Sequence, residues 1–195
     1  MKLYYSPGAC SLASHIALEE WGGDYDTVKV DLGTHKTEDG TDFYTISQRG
    51  YVPAISDGDM ELLTENPAVL TYIAQKTGTL PDGADMFRLF EWIGFIGTEI
   101  HGGYAPLFGQ DSDDRQGKAK DELAKTYRLT EKLMDGRDWL VGNGPTVADN
   151  YLFVTLLWAD KFGIDPPQSL IDYRDRNKQR AAVTQAMKAE GLIKA

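Results

Sequence analysis

The chain predicts an α/β unit with a mixed sheet over residues 1–76, followed by an all-helical segment over 85–195. Three observations lead there. Short alternating apolar runs with strand character occur in the first part. A Pro/Gly linker, residues 77–84 (Thr-Gly-Thr-Leu-Pro-Asp-Gly-Ala), interrupts the pattern. Beyond it, each periodic stretch has helical spacing.

Leu3 to Tyr5 reads as a strand that halts at the turn signal Ser6-Pro7-Gly8. Leu12 with Ile16, and Ala13 with Ala17, then give a helix closing at Trp21-Gly22-Gly23. In Tyr25 to Leu32, Val28, Val30 and Leu32 alternate with polar residues, a half-buried strand. A strand–helix–strand of this length implies parallel pairing with a right-handed crossover. Residues 33–41 read as a polar loop, and Asp42 to Ile46 as one or two helical turns. Asp57-Gly58 sits between Tyr51–Ser56 and Asp59–Leu63, which predicts a hairpin. Asn66 as N-cap and Pro67 as first residue open a helix with Ala68, Val69, Tyr72 and Ile73 on its apolar face.

After the linker, Phe87, Phe90, Ile93, Ile96 and Ile100 mark a helix over Met86 to Leu107. Arg115 to Asp135 is amphipathic and charged. Thr146-Val147-Ala148-Asp149 is a capping box in its Asp form, opening a nearly all-apolar helix to Phe162. Pro166-Pro167 breaks the chain, and Gln168 to Met187 is helical. No internal repeat or low-complexity segment is evident.

Composition excludes several classes of function. The apolar run Tyr151 to Ala159 is too short to span a bilayer. Met1-Lys2-Leu3 leads directly into a strand, and a lone Cys10 allows no internal disulfide, so the expected location is a reducing cytoplasm. A net charge of −10 opposes nucleic acid and anionic membrane as partners. Residues 1–76 carry 12 acidic and 5 basic side chains, so their few cations matter locally. Lys36 and Arg49, with His35, are candidates for holding a small anion; the plainer alternative is solvated surface charge.

Cys10 lies at a strand–Pro-Gly–helix junction. The unpaired N–H groups and positive dipole end of a helix start favour a thiolate. A small buried apolar role is the alternative.

With Cys10 at the first helix, Val52-Pro53 before the hairpin, Thr64-Glu65-Asn66 at the next helix and a helical second half, the chain resembles cytosolic glutathione S-transferases. The runs Lys2 to Leu12, Gly50 to Pro53, Leu63 to Glu65, Thr146 to Asp149 and Glu190 to Lys194 are similar to the bacterial beta class. That resemblance implies a thioredoxin-like N-terminal domain, an all-α C-terminal domain holding an electrophile site, and a cytoplasmic homodimer.

The resemblance also implies a site. Val52-Pro53 would be cis, aiming the Val52 backbone at the cysteinyl part of glutathione, with Tyr51 alongside. Glu65 would take the γ-glutamyl amine, and Asn66 with the helix N-terminus the γ-glutamyl carboxylate. Cys10 would lie near the glutathione sulfur, and His101 would project toward the thiol as base or charge stabiliser. Tyr5 and Ser11 are nearby hydroxyls that could donate to a thiolate. His15 reads as structural. The class commonly has Lys, Ser or Gly, and Asn where this chain has His35, Asn66 and Gly94; His35, or Lys36 in its place, would meet the glycine carboxylate.

Gly94, Gly97, Gly102 and Gly103 crowd one predicted helix, and each interior Gly costs about 1 kcal/mol relative to Ala. They would hollow the electrophile side for an aromatic substrate bordered by Tyr104, Phe108 and Trp158, or else permit close packing at a dimer interface. The implied reaction is a detoxifying conjugation of the glutathione thiolate to a hydrophobic electrophile, with glutathione as co-substrate and no metal. Two rivals remain open at this point: thiol transfer or peroxide reduction with Cys10 as redox centre, and non-catalytic binding of glutathione or another ligand.

Overall fold

A computed structural model describes residues 1–109 and 111–194. Its contacts divide into two units, Met1–Leu80 with the C-terminal segment from Gln179, and Pro81–Lys178.

In the first unit, β1 (Lys2–Tyr5) is followed by α1 (Ser11–Trp21) and β2 (Asp26–Asp31). β1 and β2 pair in parallel, Leu3 opposite Thr27, as a crossover of this length requires. Gly22 closes α1 in the left-handed conformation, its N–H on the Leu18 carbonyl at 3.1 Å. β3 (Lys36–Thr37) falls inside the stretch read as a loop and pairs antiparallel with β2. Two residues are too few to show a period, so the sequence carried no sign of it. A 3₁₀ turn over Phe43–Thr45 buries Phe43 against Val30, Val52 and Ala54. β4 (Ala54–Ser56) and β5 (Leu63–Thr64) pair as a hairpin, joined by residues 57–62 and not by a tight Asp57-Gly58 turn, and the sheet order is β3-β2-β1-β4-β5. α2 (Asn66–Lys76) starts one residue earlier than the sequence suggests: Glu65, not Asn66, occupies the capping position.

The second unit opens with α3 (Gly83–Phe95). The single helix expected from Met86 to Leu107 instead changes type three times. A π-helical stretch spans Ile96–His101 and a 3₁₀ turn Gly102–Tyr104, before the short α4 (Ala105–Phe108). The glycines sit in and beside these changes of pitch. A methyl group added at Gly103 would lie 2.9 Å from Leu123 Cδ2 in α5 (Asp113–Met134), so this glycine allows close helix packing within the unit. Gly94 is exposed with open space around its Cα, so it makes no such approach. Tyr104 is fully buried, its hydroxyl meeting Tyr127 at 2.9 Å and the Thr155 carbonyl at 3.1 Å.

α6 (Val147–Phe162) begins at the anticipated capping box. The fully buried Asp149 carboxylate accepts from the Thr146 N–H and hydroxyl, each at 2.8 Å, from the Leu140 N–H at 2.9 Å and from the Tyr173 hydroxyl at 2.8 Å. One carboxylate thereby ties the 140–146 loop to α6 and to α7 (Gln168–Lys178).

The last helix, α8 (Ala181–Ala189), packs on α1 and groups by its contacts with the first unit. Val183 and Ala186 are fully buried there, and α1 is covered by α2 as well as α8. This second cover explains why Ser11 through Leu18 are all buried, with no polar face. Among the described residues, no helix is long and apolar enough to cross a membrane.

Candidate active site

The turn Ser6–Ala9 delivers Cys10 to the start of α1. It is closed by Ala9 N–H on the Ser6 carbonyl at 3.0 Å. Ser11 reinforces it: its Oγ accepts from the Ser6 N–H at 3.1 Å and donates to the Ser6 carbonyl at 3.3 Å. The Ser11 hydroxyl is therefore engaged with backbone and is not offered to the Cys10 sulfur. Tyr5, at the end of β1, is buried with its ring 5.4 Å from that of His15. Burial first, then the charges of Glu190 and Glu38, push its phenol pKa up, so it remains a neutral hydroxyl.

The state of Cys10 reverses the expectation from the helix dipole. The Val52–Pro53 peptide is cis, as the resemblance implies, and the Cys10 thiol donates to the Val52 carbonyl at 3.3 Å. Burial pushes the thiol pKa up to about 12; backbone N–H groups at Cys10 and Ser11 pull the other way and lose, while Glu65 adds to the rise. Removing a thiolate from water costs more than one helix terminus returns. Cys10 is a neutral donor here.

The start of α2 carries the next group. Glu65 has φ +71°, a conformation that non-glycine residues seldom adopt and that gathers at functional positions. Its carboxylate pairs with the Arg49 guanidinium, so Arg49 serves Glu65 and is not a separate anion holder. Asn66 is buried; its Oδ1 accepts from Ser14 at 3.4 Å, while Nδ2 has no hydrogen-bond partner among the described residues. A buried amide N–H₂ left this way calls for an acceptor. Val52, Cys10 and Asn66 are thus brought into one unit, where Tyr51 stands 70% exposed.

His35 takes φ +52° and stacks on Tyr44, ring centroids 4.6 Å apart. Its Nδ1 lies 3.1 Å from the Gly50 carbonyl. A carbonyl can only accept, so Nδ1 carries the hydrogen and a neutral ring offers Nε2 solely as acceptor. Only the doubly protonated ring presents an N–H to a carboxylate. Lys36 is exposed on β3, and its ammonium carries donors only, which suits it better to that task.

In the second unit, His101 ends the π-helical stretch. Its Nδ1 is 2.6 Å from the Tyr151 hydroxyl, and its ring meets Trp158 edge-on with centroids 4.9 Å apart. Tyr151 was missed by sequence reading, because 50 residues separate it from His101 and it looks like one more apolar helix residue. Phe108, half exposed, packs edge-on to Trp158 at 5.1 Å.

Residues 1–75 match the N-terminal domain of glutathione S-transferases, and residues 95–180 match their C-terminal domain. The chain belongs to the glutathione S-transferase family. Glutathione S-transferase GstA of Escherichia coli O157:H7 is 36% identical over 98% of this chain and its own full length. A sphingomonad glutathione S-transferase complexed with glutathione is 44% identical, with a TM-score of 0.93, covering 99% of this chain and 100% of its own. The beta-class glutathione S-transferase of Sphingomonas chungbukensis is 42% identical, with a TM-score of 0.94 and the same coverage. The family, its enzymatic character and the beta-class likeness are thus borne out, with a thioredoxin-like sheet unit followed by helices.

Proposed function

We propose that this glutathione S-transferase conjugates the glutathione thiolate to hydrophobic, aromatic electrophiles in the cytoplasm. The observation that carries the reading is the start of α2, where a left-handed Glu65 precedes a buried Asn66 with an unpartnered Nδ2. A zwitterionic α-amino acid end suits it: ammonium on Glu65, carboxylate on Asn66 and the helix N-terminus. The Val52 backbone would hold the cysteinyl segment, with Tyr51 beside it, and Lys36 or protonated His35 the glycine carboxylate. Cys10, as a neutral thiol, would turn its single S–H from the Val52 carbonyl to the glutathione sulfur and so stabilise its thiolate, with Tyr5 near it. His101, with the Tyr151 hydroxyl on its Nδ1, would assist deprotonation. The thiolate then attacks the electrophilic carbon, a C–S bond forms, and the leaving group departs with its electron pair.

Glu65→Gln is expected to raise the KM for glutathione roughly 10–100-fold, the worth of a hydrogen bond to a charged group. Thermal stability should barely move, since the lost Arg49 pair is exposed. Steady-state kinetics with 1-chloro-2,4-dinitrobenzene would measure it, and an unchanged KM would remove Glu65 from the site. The aromatic preference is supported by the half-exposed Phe108 beside Trp158. A panel of aryl and small alkyl halides would decide it.

The same reading includes a homodimer. Phe87 on α3 is 66% exposed, and Tyr51 projects from the first unit, surfaces that a second copy would cover. Sedimentation should give about twice the chain mass, and Phe87→Glu should shift it toward the monomer.

A further inference from the structure

We propose that Glu190, near the C-terminus, is a positioning residue: its carboxylate clamps the Ser6–Ala9 turn so that the Cys10 region keeps the shape that binds glutathione. The inference rests on the reading that glutathione binds beside Cys10 and α2.

Glu190 follows α8 and its side chain is fully buried. One oxygen, Oε2, accepts from the Gly8 N–H at 2.8 Å, and the other, Oε1, meets His15 Nδ1 at 2.9 Å. A carboxylate taken out of water costs several kcal/mol unless each oxygen is matched, and here both are. The partners lie 182 and 175 residues away in sequence. Both belong to the segment that presents Cys10: Gly8 is two residues before it, and His15 is on the helix that it opens.

Docking of α8 does not need this carboxylate. Val183, Ala186 and Met187 already bury the helix, and Arg180 pairs with Glu20 at its start. An apolar side chain at 190 would have served adhesion equally well. What the carboxylate adds is direction, because it reaches the one turn whose geometry sets the Cys10 sulfur.

That turn depends on outside support. Gly8 has φ +69°, and Leu192 Cδ2 would lie 3.3 Å from a methyl group placed there. Leu192 lies over the turn and Glu190 grips it from the C-terminal segment, while Ser11 holds Ser6 from α1. His15, fixed by Glu190, in turn packs against the Tyr5 ring. A displacement of even 1 Å in a substrate-positioning segment is costly.

The test is glutathione binding and steady-state kinetics of wild type, Glu190→Ala and Glu190→Gln, with Glu65→Gln as a second control. Glu190→Ala should raise the KM for glutathione at least about tenfold, with the KM for 1-chloro-2,4-dinitrobenzene within about twofold of wild type. Glu190→Gln retains an acceptor for Gly8 and should return the glutathione KM to within about threefold. If the alanine variant does not fold, Glu190→Asp, which keeps the charge but cannot reach both partners, should show the same selective rise. A folded Ala or Asp variant with wild-type KM for glutathione and only a lower melting temperature overturns the proposal. If Glu65→Gln weakens glutathione while the Glu190 variants do not, the site reading stands and the positioning role falls. A wild type that does not bind glutathione defeats both.

Discussion

Asp149→Ala is expected to destabilise the protein by about 3–5 kcal/mol, read as a lower urea midpoint with an unchanged slope. The carboxylate is fully buried and satisfies four donors from three residues. Removal strands the Leu140 N–H in the interior and exposes the start of α6 to fraying. The pKa of Asp149 is a contest: burial raises it, and the bonds from Leu140, Tyr173 and Thr146 lower it without fully offsetting the rise. A folded-state pKa above the unfolded value means the native state binds the proton more tightly. Ionisation of Asp149 therefore costs some stability above the unfolded carboxyl pKa of about 4, and acid should not by itself release this clamp. A loss under about 1 kcal/mol would show that the loop and α7 hold without it.

Cys10 in the glutathione-free protein should react with iodoacetamide at pH 8 roughly a thousand times more slowly than in the unfolded chain. With its pKa pushed up to about 12, the thiolate fraction at that pH is on the order of 10⁻⁴, against about a quarter for an ordinary thiol. The geometry agrees, since a thiolate could not donate to the Val52 carbonyl that the thiol now meets. The rate should climb with pH without a plateau near neutrality. A plateau at pH 6–8 would mean a stabilised thiolate and would return Cys10 to the role of attacking group. Stability should also decline as pH rises from about 8.5 toward 12, because only the unfolded chain ionises readily there.

Local chemistry made much of this molecule legible. Gly22 ends α1 and Thr146 to Asp149 opens α6, each by a rule that acts within four residues. β3 and the pitch changes after Phe95 were not legible, because both depend on what packs alongside. Leu123 against Gly103 illustrates it: the glycine is visible, but the leucine that needs the space is twenty positions away.

The site divided the same way. The order Cys10, Val52-Pro53, Glu65-Asn66 is written in the chain and suffices to name the family. The protonation of Cys10, the pairing of Arg49 with Glu65, and the engagement of Ser11 with Ser6 are not. Each depends on burial and on which donor meets which acceptor, quantities that exist only once distant segments are packed. Glu190 is the plainest instance: in the sequence it is one acidic residue near the end, and in the fold it is buried between Gly8 and His15. Sequence by itself determined the family and those elements whose signals are local; tertiary structure alone decided the charge states and partners, because desolvation and hydrogen-bond matching are properties of the packed interior.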